Sequence, residues 1–306
     1  MPVDARQDAE KMMKRLTELR ALAAAKLRDD PLPVGREATT RLHADIKKYE
    51  LEKHIVELEL DGYTILPPGK AGPIELFDRV HEAMLRIASE QSRTGPLGQT
   101  LFHLLPQDRV FEKALMAPVP GTLLTYVLGH RAKLGQSTGI IKEAGVDPLY
   151  LHADHSLLPP PWPVRAQINV VTWVLTDYTR ENGAVCVWPG SHRWAAPVPE
   201  PLRMVHDHPE TKVLATPPGS VIIWHGGLWH GAVPRQTEGA RMTLALPFQR
   251  AGVQATEPYT LTVTPEMIEC NPRRFSTFIG LHSAFPWLDG PDGNLLAITP
   301  NMSEFE

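Results

Sequence analysis

Beyond residue 118 the chain breaks into short apolar runs of β-type residues set apart by proline and glycine: 123–128, 138–141, 168–175, 185–188, 221–224 and 242–248. Runs of four to eight residues bounded by turn formers read as strands, and many of them in succession without long helical spacers exclude a parallel βαβ architecture. They predict an antiparallel barrel or sandwich. Ahead of them the apolar period is helical. Met12, Met13, Leu16, Leu19, Leu22, Ala23 and Leu27 form a stripe over 8–28, a charged helical stretch covers 37–60, and Ile74, Phe77, Val80, Met84, Leu85 and Ile87 line one face of 73–92. Pro31 and Pro33 mark a linker between the first two. The expected fold is mainly β with flanking helices: an N-terminal helical extension over 1–60 and a single elaborated domain over 61–306. The 8–28 stripe is expected to pack on the core rather than on a membrane or a second copy.

Within the β-rich part, His152, Ala153 and Asp154 follow a turn and a short strand, Leu149 to Leu151. Side chains at i and i+2 of a strand share a face, so His152 and Asp154 can bite one ion together. A second His-X-Asp, His43 and Asp45, falls in the helical 37–60 stretch. There i and i+2 diverge, and the pair is rejected as a ligand set. Three histidines, His192, His225 and His230, are candidates for a third ligand; His230, just past the 220–224 strand, is best placed. Two imidazoles and one carboxylate on one face of a metal make the non-heme Fe(II) facial triad, which leaves positions open for a bidentate cosubstrate and O2. Arg241, Thr243 and Ala245 alternate with Met242, Leu244 and Leu246, so Arg241 and Thr243 occupy one face of a half-buried strand. An inward arginine is costly unless it meets an anion, and if His230 and Arg241 flank the loop between neighbouring antiparallel strands, metal and guanidinium stand at the same end of the sheet. The distal carboxylate of 2-oxoglutarate, whose keto acid end chelates iron, suits it. Each residue alone is more often structural; the ordered set is what points to an oxygenase.

These pieces resemble the phytanoyl-CoA dioxygenase family of Fe(II)/2-oxoglutarate oxygenases. The matching stretches are Leu151-His152-Ala153-Asp154, Thr179-Arg180-Glu181-Asn182-Gly183-Ala184, Val187-Trp188-Pro189-Gly190-Ser191-His192, Pro218-Gly219-Ser220, Trp229-His230-Gly231 and Arg241. The resemblance implies a double-stranded β-helix (jelly-roll) core. It implies His152, Asp154 and His230 as iron ligands, Arg241 as the 2-oxoglutarate anchor, and Thr172 with Thr243 as further cosubstrate contacts. His192 and His225 match positions carried without ligation. Halogenating relatives lack the carboxylate that Asp154 supplies. The implied reaction is hydroxylation of an unactivated C–H by O2, with release of succinate and CO2. A cupin-like isomerase or hydrolase working without 2-oxoglutarate, and a non-catalytic ligand-binding module, are the alternatives.

Partners follow from composition. A net charge of −4 lacks the basic surplus of a nucleic-acid binder, so no nucleic-acid partner is expected. No apolar stretch is long enough to span a membrane and the first residues lack an apolar signal region, so a cytoplasmic location is expected. Cys186 and Cys270 share no metal-type spacing and are expected as buried, reduced thiols. The proline-rich segment 157–164 is expected to wall a pocket for a mainly hydrophobic small-molecule substrate. Arg131 with Lys133, or Arg273 with Arg274, would have to supply the phosphate contacts of an acyl-CoA. The residues after Glu266, read as one helix running to Leu281 and approaching Pro286-Trp287, are expected either to close the pocket or to build the contact of a homo-oligomer.

Overall fold

The computed structural model describes residues 3–91, 94–95, 98–145, 148–204 and 208–282. Six longer helices come first: α1 (Val3–Asp29), α2 (Gly35–Lys48), α3 (Glu52–Asp61), α4 (Ile74–Glu90), α5 (Arg109–Leu115) and α6 (Pro118–Leu128). Twelve strands among the described residues build two sheets: β1 (Tyr63–Leu66), β2 (Thr94–Gly95), β3 (Gly98–Leu101), β4 (Lys133–Leu134), β5 (Thr138–Glu143), β6 (Leu149–His152), β7 (Ile168–Val174), β8 (Val185–Val187), β9 (Lys212–Val213), β10 (Val221–His225), β11 (His230–Ala232) and β12 (Ala240–Gln249).

The major sheet runs β1-β10-β7-β12-β5-β3-β2, with β4 paired to β12, and the minor sheet runs β6-β11-β8-β9. Every described pairing is antiparallel. This is the two-sheet sandwich of a double-stranded β-helix. The period-2 alternation sorts β7: Ile168, Val170 and Val174 join a cluster with Val185, Val187 and Ile222 between the sheets, whereas Val171 and Trp173 face the helical layer. There Trp173 meets Phe77 of α4 with ring centroids 4.6 Å apart. The long α1 buries Leu19 and Ala23 in that same layer, and its Arg15 and Lys26 donate to Val263 O and Glu269 O. It packs on the core as the stripe predicts, and no helix among the described residues is long and apolar enough to cross a membrane.

Several expectations are corrected. Residues 123–128 belong to α6, not to a strand: Pro118 opens the helix, and periodicity cannot separate a short buried helix segment from a strand. Among the described residues, the strands β2 and β3 also interrupt the expected run of helices before residue 118. The 37–60 stretch is two helices, broken near Glu50, whose φ is +51°. After Thr264 the single expected helix is two short ones, Pro265–Cys270 and Arg273–Phe278, split at Pro272, which cannot donate a helical N–H. Pro286 and Trp287 lie outside the described residues. Cys186 is buried but Cys270 is exposed.

Candidate active site

Strand pairing in the minor sheet brings the histidines together. His152 closes β6, His230 opens β11, and the two are register partners with ring centroids 4.2 Å apart. Each ring is oriented by its own strand: Nδ1–H of His152 donates to Tyr150 O at 2.9 Å and Nδ1–H of His230 to Leu228 O at 3.0 Å, which leaves both Nε2 atoms free to face inward. Asp154 is not on the strand, contrary to expectation. It opens a 3-10 turn, Asp154–Leu157, whose backbone is tied down by His155 N–H donating to Gly226 O at 2.8 Å. Its carboxylate still lies 3.8 Å from His230 Nε2. Ligand atoms of all three residues fall within 4.8 Å of one another, the one such group found among the described residues. Burial, with the neighbouring His152 ring, pushes the His230 pKa down to about 4, so its imidazole is neutral at physiological pH, the state a metal requires. Two imidazoles and one carboxyl group on one side of a cavity fit a divalent iron ion.

A glycine permits this pairing. A Cβ on Gly231 would collide with the backbone carbonyl of Leu149, because β11 and β6 run close where the register shifts between His230 and Ala232. The rejected His43 and Asp45 lie on α2, among residues the structure does not group as a metal site.

The three residues line a cavity of about 410 Å³ between the sheets. Across it, on the major sheet, stands Arg241, 4% exposed. His230 and Arg241 do flank one loop, 233–239, but the strands it joins are not neighbours as expected: they sit on different sheets that face each other. Arg241 Nη1 donates to Tyr178 Oη at 2.7 Å and Thr243 Oγ1 at 2.9 Å, its guanidinium carbon lies 5.0 Å from the centre of the Tyr178 ring, and its Nε has no protein partner. Its register partner on β5 is Lys142, also buried, whose Nζ donates to Val233 O at 3.0 Å. Two cations therefore converge at one end of the cavity, and Asp154 is the one acid among its described lining residues. Thr172 lies on the wall between the triad and Arg241, with a buried hydroxyl that has no protein partner.

Tyr178 and Lys142 escape sequence reasoning. Lys142 was legible as the continuation of the Thr138, Ile140 alternation; Tyr178 follows the end of β7 and carries no periodic signal. His192 and His225 lie outside the cavity. His225 points from β10 to the opposite face of the major sheet, its ring 5.1 Å from that of His192. Trp224 lines the cavity, whereas Trp173 faces the helical layer and Trp188, Trp194 and Trp229 meet one another edge to face. The proline-rich segment does not wall this cavity either. Its Trp162 lines a second pocket, which shares only Leu149 and His152 with the first.

A family model described as phytanoyl-CoA dioxygenase matches residues 58–243, more than half of the chain and all of the triad. The chain belongs to the phytanoyl-CoA dioxygenase family. Membership carries the family's cofactors, iron and 2-oxoglutarate. Among relatives, dioxygenase af480 of Aspergillus fumigatus is 30% identical over 148 residues, 47% of this chain and 46% of its own, so this chain spans less than half of that relative's length. Among solved structures, HygX of Streptomyces hygroscopicus with nickel and 2-oxoglutarate bound has 18% identity and a TM-score of 0.54, covering 67% of this chain and 88% of its own. The epimerase SnoN, in complex with Fe3+, α-ketoglutarate and nogalamycin RO, has 19% identity and a TM-score of 0.54, covering 71% of this chain and 91% of its own. At these identities the likeness to both is one of fold, and it establishes the double-stranded β-helix within the family.

Proposed function

We propose that the chain is an Fe(II)- and 2-oxoglutarate-dependent dioxygenase that hydroxylates an unactivated C–H of a mainly apolar small molecule, with release of succinate and CO2. The observation that carries this reading is the facing of the His152, Asp154 and His230 group by a buried, partly unpartnered arginine across one cavity. His152 Nε2, His230 Nε2 and the Asp154 carboxylate would hold the metal. Iron, once bound there with its cosubstrate, supplies the activation of O2, which no side chain can provide.

The remaining work belongs to the protein. Arg241 and Lys142 form a cationic end that selects a ligand with a distal carboxylate; Tyr178 and Thr243 hold the guanidinium in one orientation, so little ordering is left for binding. Thr172 Oγ1 is placed to donate to an oxygen of the same ligand, which satisfies an otherwise unpaired buried hydroxyl. Around the rest of the cavity, Phe102, Ile140, Leu149, Val170 and Pro247 exclude water and favour an apolar substrate.

An acyl-CoA is disfavoured. Neither expected basic pair lines the cavity: Arg274 is spent on Gly121 O and Thr125 Oγ1, Arg273 pairs with Asp30 at 3.1 Å, and Arg131 is buried.

An anaerobic titration of Fe(II)-loaded protein with 2-oxoglutarate tests the reading. A weak visible charge-transfer band is expected in the wild type and is lost or weakened in Asp154→Ala and Arg241→Gln. A well-loaded protein without the band would sink the reading in favour of a metal-dependent isomerase or hydrolase. Succinate release on addition of neutral apolar compounds, and none with acyl-CoAs, then tests the substrate class.

A further inference from the structure

Two of the three candidate ligands are fixed by strand pairing and by hydrogen bonds to their own backbone, but Asp154 is not. It lies half-buried on a turn beyond the end of β6, and no strand constrains the rotation of its carboxylate. One side chain reaches it from the major sheet. Trp224 projects from the inner face of β10, 6% exposed, and its indole Nε1–H donates to Asp154 Oδ2 at 3.1 Å. The same ring lies against the His230 imidazole, centroids 5.0 Å apart. A single indole thus touches two of the three residues of the group, and it does so across the gap between the sheets.

Burial alone does not force this pairing. A buried indole N–H normally finds an acceptor, yet this fold leaves one without: Trp173 is fully buried in the helical layer and its Nε1 has no protein partner. A charge-assisted bond to a carboxylate is stronger than one between neutral groups, and groups that hydrogen-bond a metal's carboxylate or imidazole ligands set ligand orientation and metal affinity. We propose that Trp224 is a positioning residue for the metal site: its indole N–H holds the Asp154 carboxylate in the orientation that binds the ion, while its ring braces His230. This rests on the reading of His152, Asp154 and His230 as metal ligands.

The test measures metal binding rather than turnover. Equilibrium dialysis with Co(II) alone, together with the visible spectrum of the Co(II) protein, would be compared in wild type, Asp154→Ala, Trp224→Phe and Trp224→Gln, with thermal melting of each metal-free protein as a check on folding. Trp224→Phe keeps an aromatic ring but removes the donor; a 10- to 100-fold rise in Co(II) Kd and an altered Co(II) spectrum are expected at an unchanged metal-free melting temperature. Trp224→Gln keeps an N–H donor and is expected to recover part of the affinity, and it carries the test by itself if the Phe variant does not fold. Co(II) affinity and spectrum equal to wild type in Trp224→Phe, or equal loss in Phe and Gln, would overturn the inference. Failure of the underlying reading looks different: the wild type itself would bind Co(II) no better than Asp154→Ala.

Discussion

His152 and His230 are direct register partners on two antiparallel strands of the minor sheet, so the hydrogen-bond ladder between β6 and β11 sets the spacing of two candidate ligands. The ladder depends in turn on Gly231, beside the Leu149 carbonyl. In Gly231→Ala the strands must separate or shift, at an expected cost of about 1–3 kcal/mol in stability. Co(II) affinity should fall by more than that stability loss explains, as read by dialysis beside urea unfolding.

Arg241→Gln removes the charge and the planar fork that face the cavity. Charge-assisted hydrogen bonds contribute about 1.5–3 kcal/mol, so 2-oxoglutarate is expected to bind roughly 10- to 100-fold more weakly. Lys142→Met should weaken it less, since that ammonium is already held by Val233 O. Titration of the charge-transfer band measures both, and Co(II) binding without 2-oxoglutarate should stay at the wild-type value in each.

Leu19 of α1 is wholly buried and Met13 is 57% exposed. Leu19→Ala is therefore expected to cost about 2–5 kcal/mol in unfolding free energy, and Met13→Ala no more than about 0.5 kcal/mol. Equal, small effects would detach α1 from the core.

Acid should destabilise the metal-free protein in a defined window. Burial pushes the pKa of His130 and of His282 down to about 4, from an ordinary 6.5. Above pH 6.5 neither histidine is protonated in the folded or the unfolded chain, and stability is flat with respect to both. As pH falls from 6.5 toward 4 the unfolded chain takes up protons that the folded chain refuses, so stability drops. Urea midpoints across pH 4–8 should show this slope, and His282→Gln should make it shallower.

The fold class was legible because its signals are local: short runs, period-2 alternation and prolines that close them. The 123–128 segment misled because a run as short as this, with Leu123, Leu124 and Leu128 buried, fits either period. For the site, residue types and order identified His152, Asp154, His230 and Arg241 as a set, but not how they meet. Which sheet each strand joins is a long-range fact, and the placement of His230 and Arg241 on one hairpin failed for that reason. Tyr178 was invisible on the same ground, because its role is defined by Arg241, 63 positions away.

The two ends of the cavity belong to different sheets, the candidate ligands to the minor one and the cationic anchor to the major one. A molecule that engages both would act as a gauge of the gap between them, and the gap is kept by the wedge of Val174, Val187 and Ile222, which do not line the cavity. Thinning that wedge would detune the distance between grip and anchor while leaving every contacting residue intact. Recognition of the cosubstrate is in this sense a property of how the sandwich is filled, and selection on the site extends to residues that never touch what it binds.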